Sequence, residues 1–116
     1  MSKRMRIAAA VAAAATIIAA APAMAAAAKT INVSTSKTAM FKFKGMPTTL
    51  KAGTYVFKYT NNSGIDHNLM VGTVSTPMVS KGTQTIKVRL KKGKVKYLCA
   101  VPGHAQAGQK GTIIVK

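Results

Sequence analysis

From residue 31 onward, apolar and polar residues alternate with a period of two. Ile31 and Val33 face one way while Asn32 and Ser34 face the other, and Phe41 and Phe43 alternate with Lys42 and Lys44. Tyr55, Phe57 and Tyr59 form another apolar row. So do Ile86, Val88 and Leu90, opposed by Lys87, Arg89 and Lys91, and Val95, Tyr97 and Cys99 near the end, before a last run from Thr112 to Val115. This is the pattern of half-buried strands, one face in a core and one in water. Turn residues separate the runs: Gly45-Met46-Pro47, Lys51-Ala52-Gly53, Asn61-Asn62-Ser63-Gly64, Lys91-Lys92-Gly93 and Pro102-Gly103. No stretch after the Ala-rich start carries a 3.6-residue apolar period. The segment from Thr73 to Lys81 is the least regular and is expected to be a loop with a stray turn of helix. The pattern predicts one all-β domain, an antiparallel Greek-key sandwich or barrel of about seven to eight strands, with no internal repeat.

The start of the chain is different. Lys3, Arg4 and Arg6 precede an uncharged, Ala-rich run from Ile7 to Ala21, and Ala23-Met24-Ala25 puts small residues where a signal peptidase reads. A basic start, an apolar middle and an A-x-A end describe a secretory signal. Residues 1–25 are therefore expected to be a cleaved leader and residues 26–116 the domain. Retention as a membrane anchor is the alternative, since no charge falls between Ile7 and Ala28. Against it, alanine is only weakly apolar, and Pro22 lies where a cleavage site wants a break.

Cleavage would leave 91 residues, with 15 of the 18 basic residues against the single acid Asp66, a net charge of +14. An acidic redox protein or an anionic membrane face would answer such a charge, and so would nucleic acid. No nucleic-acid-binding module is present and an export signal speaks against one, so no nucleic-acid partner is expected. The plainer reading of the lysines is solvation of outer strand faces, which also discourages edge-to-edge aggregation. A monomer is expected. The single cysteine excludes an internal disulfide, and a lone thiol in an oxidising compartment is a liability unless something occupies it.

A metal would occupy it. Cys99 ends an inward row, and His104 follows five residues later behind the tight Pro102-Gly103 turn. His67 lies 32 residues upstream of Cys99, after the Asn61–Gly64 turn and at the expected start of a strand from His67 to Val71. Two imidazoles and one thiolate form the trigonal N₂S set that, with a weak axial donor, holds copper in electron-transfer sites. Zinc also accepts such ligands, although divalent affinity favours copper.

The residues around these ligands resemble the cupredoxin family over essentially the whole length after the leader. Gly53-Thr54-Tyr55-Val56-Phe57 with Asn61-Asn62 resembles the strand leading to the upstream ligand, and His67-Asn68-Leu69-Met70 resembles that ligand and its neighbour. Cys99-Ala100-Val101-Pro102-Gly103-His104, then Ala107-Gly108-Gln109-Lys110-Gly111, resembles the loop that carries the other ligands. The resemblance implies a type 1 copper site with one ion per chain, held by His67, Cys99, His104 and an axial donor. It also implies that Asn68 ties the upstream strand to the Cys-His loop by hydrogen bonds. Relatives usually have methionine at the axial position, where this chain has Gln109. Gln109 is similar to the axial glutamine of stellacyanin-like plant proteins, which also carry a disulfide that this chain cannot form. Gln109 is accordingly expected to be the axial ligand; the alternative is a side chain turned to solvent with a three-coordinate site.

The resemblance implies one-electron transfer without enzymatic turnover, in the periplasm or outside the cell, with the ring of His104 exposed. Pro102, Gly103, Ala105 and Pro77 would form an apolar rim around it. A copper carrier or buffer would use the same ligands. Thiol catalysis by Cys99 and His104 would leave His67 and Gln109 unexplained, and two histidines are too few for a multinuclear oxygen site. Met40, Met46, Met70 and Met78 form no cluster in sequence and read as packing residues.

Overall fold

The computed structural model describes residues 27–116; the expected leader lies outside the described residues. Nine strands follow in order: β1 (Lys29–Ser36), β2 (Ala39–Lys44), β3 (Thr49–Leu50), β4 (Gly53–Asn62), β5 (Met70–Val71), β6 (Val74–Ser75), β7 (Gly82–Leu90), β8 (Gly93–Leu98) and β9 (Lys110–Val115). Three of them are only two residues long, so the count lies close to the seven to eight expected. The domain is all-β, and the described residues contain no helix.

Two sheets form the sandwich, one in the order β2-β1-β4-β7 and the other in the order β3-β9-β8-β5-β6. Alternation correctly divides β4 and β7 into faces. Tyr55, Phe57, Tyr59, Ile86, Val88 and Leu90 are buried, and Lys58, Lys87 and Arg89 are exposed. The inner face of the second sheet supplies Val71, Ile113 and Val115 to the same core, with Leu69 beside them. Burying side chains of this size stabilises by ~1.5–3 kcal/mol each before chain entropy is counted.

The sheets are mixed rather than purely antiparallel: β1 runs parallel to β4, and β3 parallel to β9. Alternation fixes the face of a residue but not the direction of its neighbour strand, so these pairings were invisible to the pattern. The expected strand from His67 to Val71 is also shorter. Only Met70 and Val71 join a ladder, while His67 makes a lone bridge to Val79. The segment from Thr73 to Lys81 contains no helix; Val74 and Ser75 fold back on β5 instead.

The turn after β2 depends on Gly45. Its φ is +96°, a region costly for side chains, and a Cβ there would run into the backbone carbonyl of Asn32 on β1. Backbone cannot swing aside as a side chain can. Strain and collision together should make Gly45→Ala cost ~2–4 kcal/mol in urea unfolding. A loss within ~0.5 kcal/mol, the range of an ordinary surface change, would show that the turn relaxes freely.

Candidate metal centre

The site lies where the bridge at His67 meets the loop between β8 and β9. Asn61, buried at the end of β4, builds the approach. Its Nδ2 donates to the carbonyls of Ile65 (2.8 Å) and Val79 (2.6 Å), and its Oδ1 accepts from the N–H and hydroxyl of Ser63. Val79 in turn exchanges both backbone hydrogen bonds with His67, each 3.1 Å. One asparagine thus closes the turn and holds the segment that pins His67.

The other donors come from one loop. Cys99 follows β8 and donates its N–H to the Gln109 carbonyl (3.1 Å), while the Gln109 N–H donates to the His104 carbonyl (3.1 Å). Gly103, at φ +85°, lets the chain reverse behind Pro102. Asn68 joins the two halves, since its Oδ1 accepts the Ala100 N–H at 2.7 Å.

His67, Cys99, His104 and Gln109 converge. The Nδ1 atoms of the two histidines are 3.1 Å apart, and Cys99 Sγ lies 3.8 Å from that of His67 and 3.6 Å from that of His104. Gln109 is fully buried, with Oε1 2.8 Å from His67 Nδ1 and Nε2 3.2 Å from Thr35 Oγ1. The side chain therefore faces the cluster and not solvent.

The donor chemistry fits a cation. His67 Nδ1 is surrounded by an amide oxygen, an imidazole nitrogen and a sulfur, all lone-pair donors. Protons can pair these atoms only two at a time, whereas one metal ion can take a lone pair from all four. Metal–nitrogen and metal–sulfur bonds of ~2.0 and ~2.3 Å are long enough for one ion to bridge every one of these separations. His67 Nε2 is buried without a hydrogen-bond partner. With Nδ1 as the donor, the proton sits on that nitrogen. The same unpaired group is a weak point in the metal-free fold.

Burial holds the His67 pKa below the ordinary histidine value, the hydrogen bond to Gln109 opposes this, and the neighbouring His104 reinforces it. His67 is thereby kept in the neutral, ligating form. The sign of the pH effect follows. Below the unfolded value of ~6.5 the unfolded chain takes up a proton that the folded chain resists. Urea unfolding of the metal-free protein should therefore show stability falling as pH drops from ~7.5 to ~5, and a flat profile would mean that the fold accommodates the charge.

Four residues at the site, Thr35, Tyr59, Asn61 and Phe41, were not singled out from sequence as part of it. Thr35 is 1% exposed and belongs to the inward row of Ile31 and Val33, so a polar residue ending an apolar row was the available signal. Tyr59 donates to its hydroxyl at 2.7 Å, and burial pushes the Tyr59 pKa up to about 12, so the phenol keeps its proton. Asn61 read as a turn residue and as part of the run leading to the upstream ligand, without a hydrogen-bonding role. Phe41, 38% exposed, stands edge-on to the half-buried His104 ring at 5.1 Å between centroids.

Among solved structures, the fold is similar to the dithionite-reduced auracyanin of the photosynthetic bacterium Roseiflexus castenholzii, with a TM-score of 0.65 and 18% identity over 78% of this chain and 99% of that one. It is similar to auracyanin A, a "blue" copper protein of the green thermophilic photosynthetic bacterium Chloroflexus aurantiacus, with a TM-score of 0.63 and 19% identity over 78% and 100% of the two chains. It is also similar to oxidised plastocyanin of Dryopteris crassirhizoma, with a TM-score of 0.53 and 22% identity over 73% and 99%. At these identities the likeness establishes the cupredoxin fold alone. A search of curated protein sequences gave no match. The family model of copper binding proteins of the plastocyanin/azurin type matches residues 13–116, nearly the whole sequence. With a His-Cys-His cluster gathered in that fold, the chain belongs to the plastocyanin/azurin family of copper-binding proteins.

Proposed function

We propose that this protein is an exported type 1 copper protein that passes single electrons between redox partners, with His67, Cys99 and His104 as ligands and Gln109 as the axial donor. The observation that carries the reading is the gathering of two imidazole nitrogens and one thiol sulfur within 4.8 Å, on side chains two of which are buried. Copper, when bound there, supplies the one-electron couple. His67 and Cys99 close the inner side against water. His104 is the donor that reaches the rim, and Phe41 narrows its exposure. The hydrogen bond from Ala100 to Asn68 and that from Cys99 to Gln109 hold the loop in place, so the donors need little movement between oxidation states.

An amide oxygen is a harder donor than a thioether and favours the oxidised ion. Gln109→Met should accordingly raise the reduction potential by more than ~59 mV, a tenfold change in the relative affinity for the two oxidation states. Export is proposed from the leader pattern of residues 1–25, with a periplasmic or extracellular location. The partner is proposed to be an acidic redox protein or one at an anionic membrane face.

Copper titration tests the reading. Adding Cu(II) to the folded metal-free protein should give an intense visible thiolate-to-copper band that saturates at one ion per chain. The loaded protein should exchange electrons rapidly with itself and hold its copper against a competing chelator. A protein that binds copper and stays colourless defeats the proposal, and ready release of copper to an acceptor with slow self-exchange points to a carrier instead.

A further inference from the structure

Thr35 has one hydroxyl proton and two lone pairs, and the structure accounts for all three. The hydroxyl lies 3.0 Å from the carbonyl of Lys42 on β2, which can only accept, so the proton goes there. Tyr59 donates its phenolic proton to the same oxygen at 2.7 Å. One lone pair is left, facing the Gln109 side chain at 3.2 Å. Only the NH₂ of the amide can meet it. Reversing the amide would aim its carbonyl oxygen at an oxygen with no proton to give, in a place closed to water, since Thr35, Tyr59 and Gln109 are all buried.

We infer that Thr35 is a positioning residue that locks the Gln109 amide with Oε1 turned to the metal ligands. The inference rests on the proposed reading of Gln109 as an axial donor. Thr35 is placed for this task by the backbone, because it lies on β1 next to Asn61 of β4, where the register of β1 against β2 shifts between Ser34 and Ser36. A thioether at position 109 would have no proton for the free lone pair of Thr35. Threonine at 35 and glutamine at 109 are thus matched, and the orientation of the axial group is set from a strand remote in sequence.

The test is a double-mutant cycle on the copper-loaded protein, read as reduction potential. Thr35→Val keeps the shape and removes the acceptor of both the Gln109 NH₂ and the Tyr59 phenol, so the amide can turn its oxygen toward the phenolic proton that Thr35 no longer takes. The Cu(II)/Cu(I) affinity ratio should fall by at least about threefold, a rise of ~28 mV at ~59 mV per tenfold change. Thr35→Ser should stay at the wild-type potential, and Thr35→Val should have no effect once Gln109 is replaced by methionine. An equal shift in both backgrounds would make Thr35 merely structural and overturn the inference. A shift for Gln109→Met with none for Thr35→Val would also overturn it while leaving axial ligation intact. If Gln109→Met itself leaves the potential unchanged, axial ligation fails and the inference falls with it. Should Thr35→Val not fold, NMR of the metal-free wild-type protein decides. The Gln109 NH₂ protons should contact the Thr35 methyl group, and contact with the His67 ring instead would refute the locked orientation.

Discussion

Cys99→Ser should abolish the visible band of the copper-loaded protein and remove most of its copper affinity. The band requires a thiolate, and a hydroxyl neither ionises near neutral pH nor offers a soft donor. Changing a group that merely supports a ligand typically costs ~10–100-fold in metal affinity, so loss of the ligand itself should exceed that range. The substitution removes little volume from a site where Cys99 is 1% exposed and its backbone N–H remains bound to Gln109. The metal-free variant should therefore keep its β-sheet spectrum and a cooperative unfolding transition. A coloured Cys99→Ser protein would mean that the copper sits elsewhere. Unchanged affinity without colour would mean that the imidazoles and Gln109 suffice to hold the ion, and that the thiolate, though a ligand, adds little to the affinity.

The cluster of His67, Cys99 and His104 was legible because its grammar is local. Cys99 and His104 are linked by one turn, and His67 follows another, so the sequence displays both the donors and the punctuation that brings them to one end of a strand pair. Gln109 was legible as the expected axial ligand but its burial was not, since the hydroxyl that its amide meets lies 74 positions away. Thr35 and Asn61 escaped notice for the same reason. Each is a polar residue at the end of an apolar row; Thr35 finds its partners on β2, β4 and the loop before β9, and Asn61 one of its partners at Val79, 18 positions away.

Phe41 shows a different limit. Alternation puts Phe41 and Phe43 on one face, and Phe43 does pack against Tyr59 and Tyr97. Phe41 lies two residues further along an edge strand, against the rim of the copper loop, and stays 38% exposed. A period-two pattern marks a face, but not where that face runs out of opposing sheet. The methionines make the milder version of this point: Met46 packs on the core while Met78 is 49% exposed, as expected of separate packing and rim residues rather than a metal-binding cluster.

Reduction of this protein by an acidic redox partner should be fast at low salt and slow steadily as salt is added, while a basic partner of equal driving force should show the reverse. All 15 basic residues outside the leader fall in the described domain, against Asp66 alone. Lys58, Lys87 and Arg89 cover the outer face of one sheet and Lys94, Lys96 and Lys110 that of the other. The charge also reaches the copper end: Lys42 follows Phe41, and its amine lies beside Gly108 of the ligand loop. A positive field of this extent raises association with an acidic partner by roughly 10–10³-fold. It weakens as the screening length shrinks from ~10 Å at 0.1 M salt to ~3 Å at 1 M. The competing view is that the lysines only solvate strand faces and that docking uses the neutral rim of Phe41, Pro102, Gly103 and Ala105. Lys42→Glu separates local from global steering, because it alters the charge next to the rim and changes the total by only two. If steering acts at the rim, that variant should lose a large part of the acidic partner's advantage and leave the basic partner faster. If both partners react at rates that ignore salt, the charge serves solubility and the acidic partner is excluded.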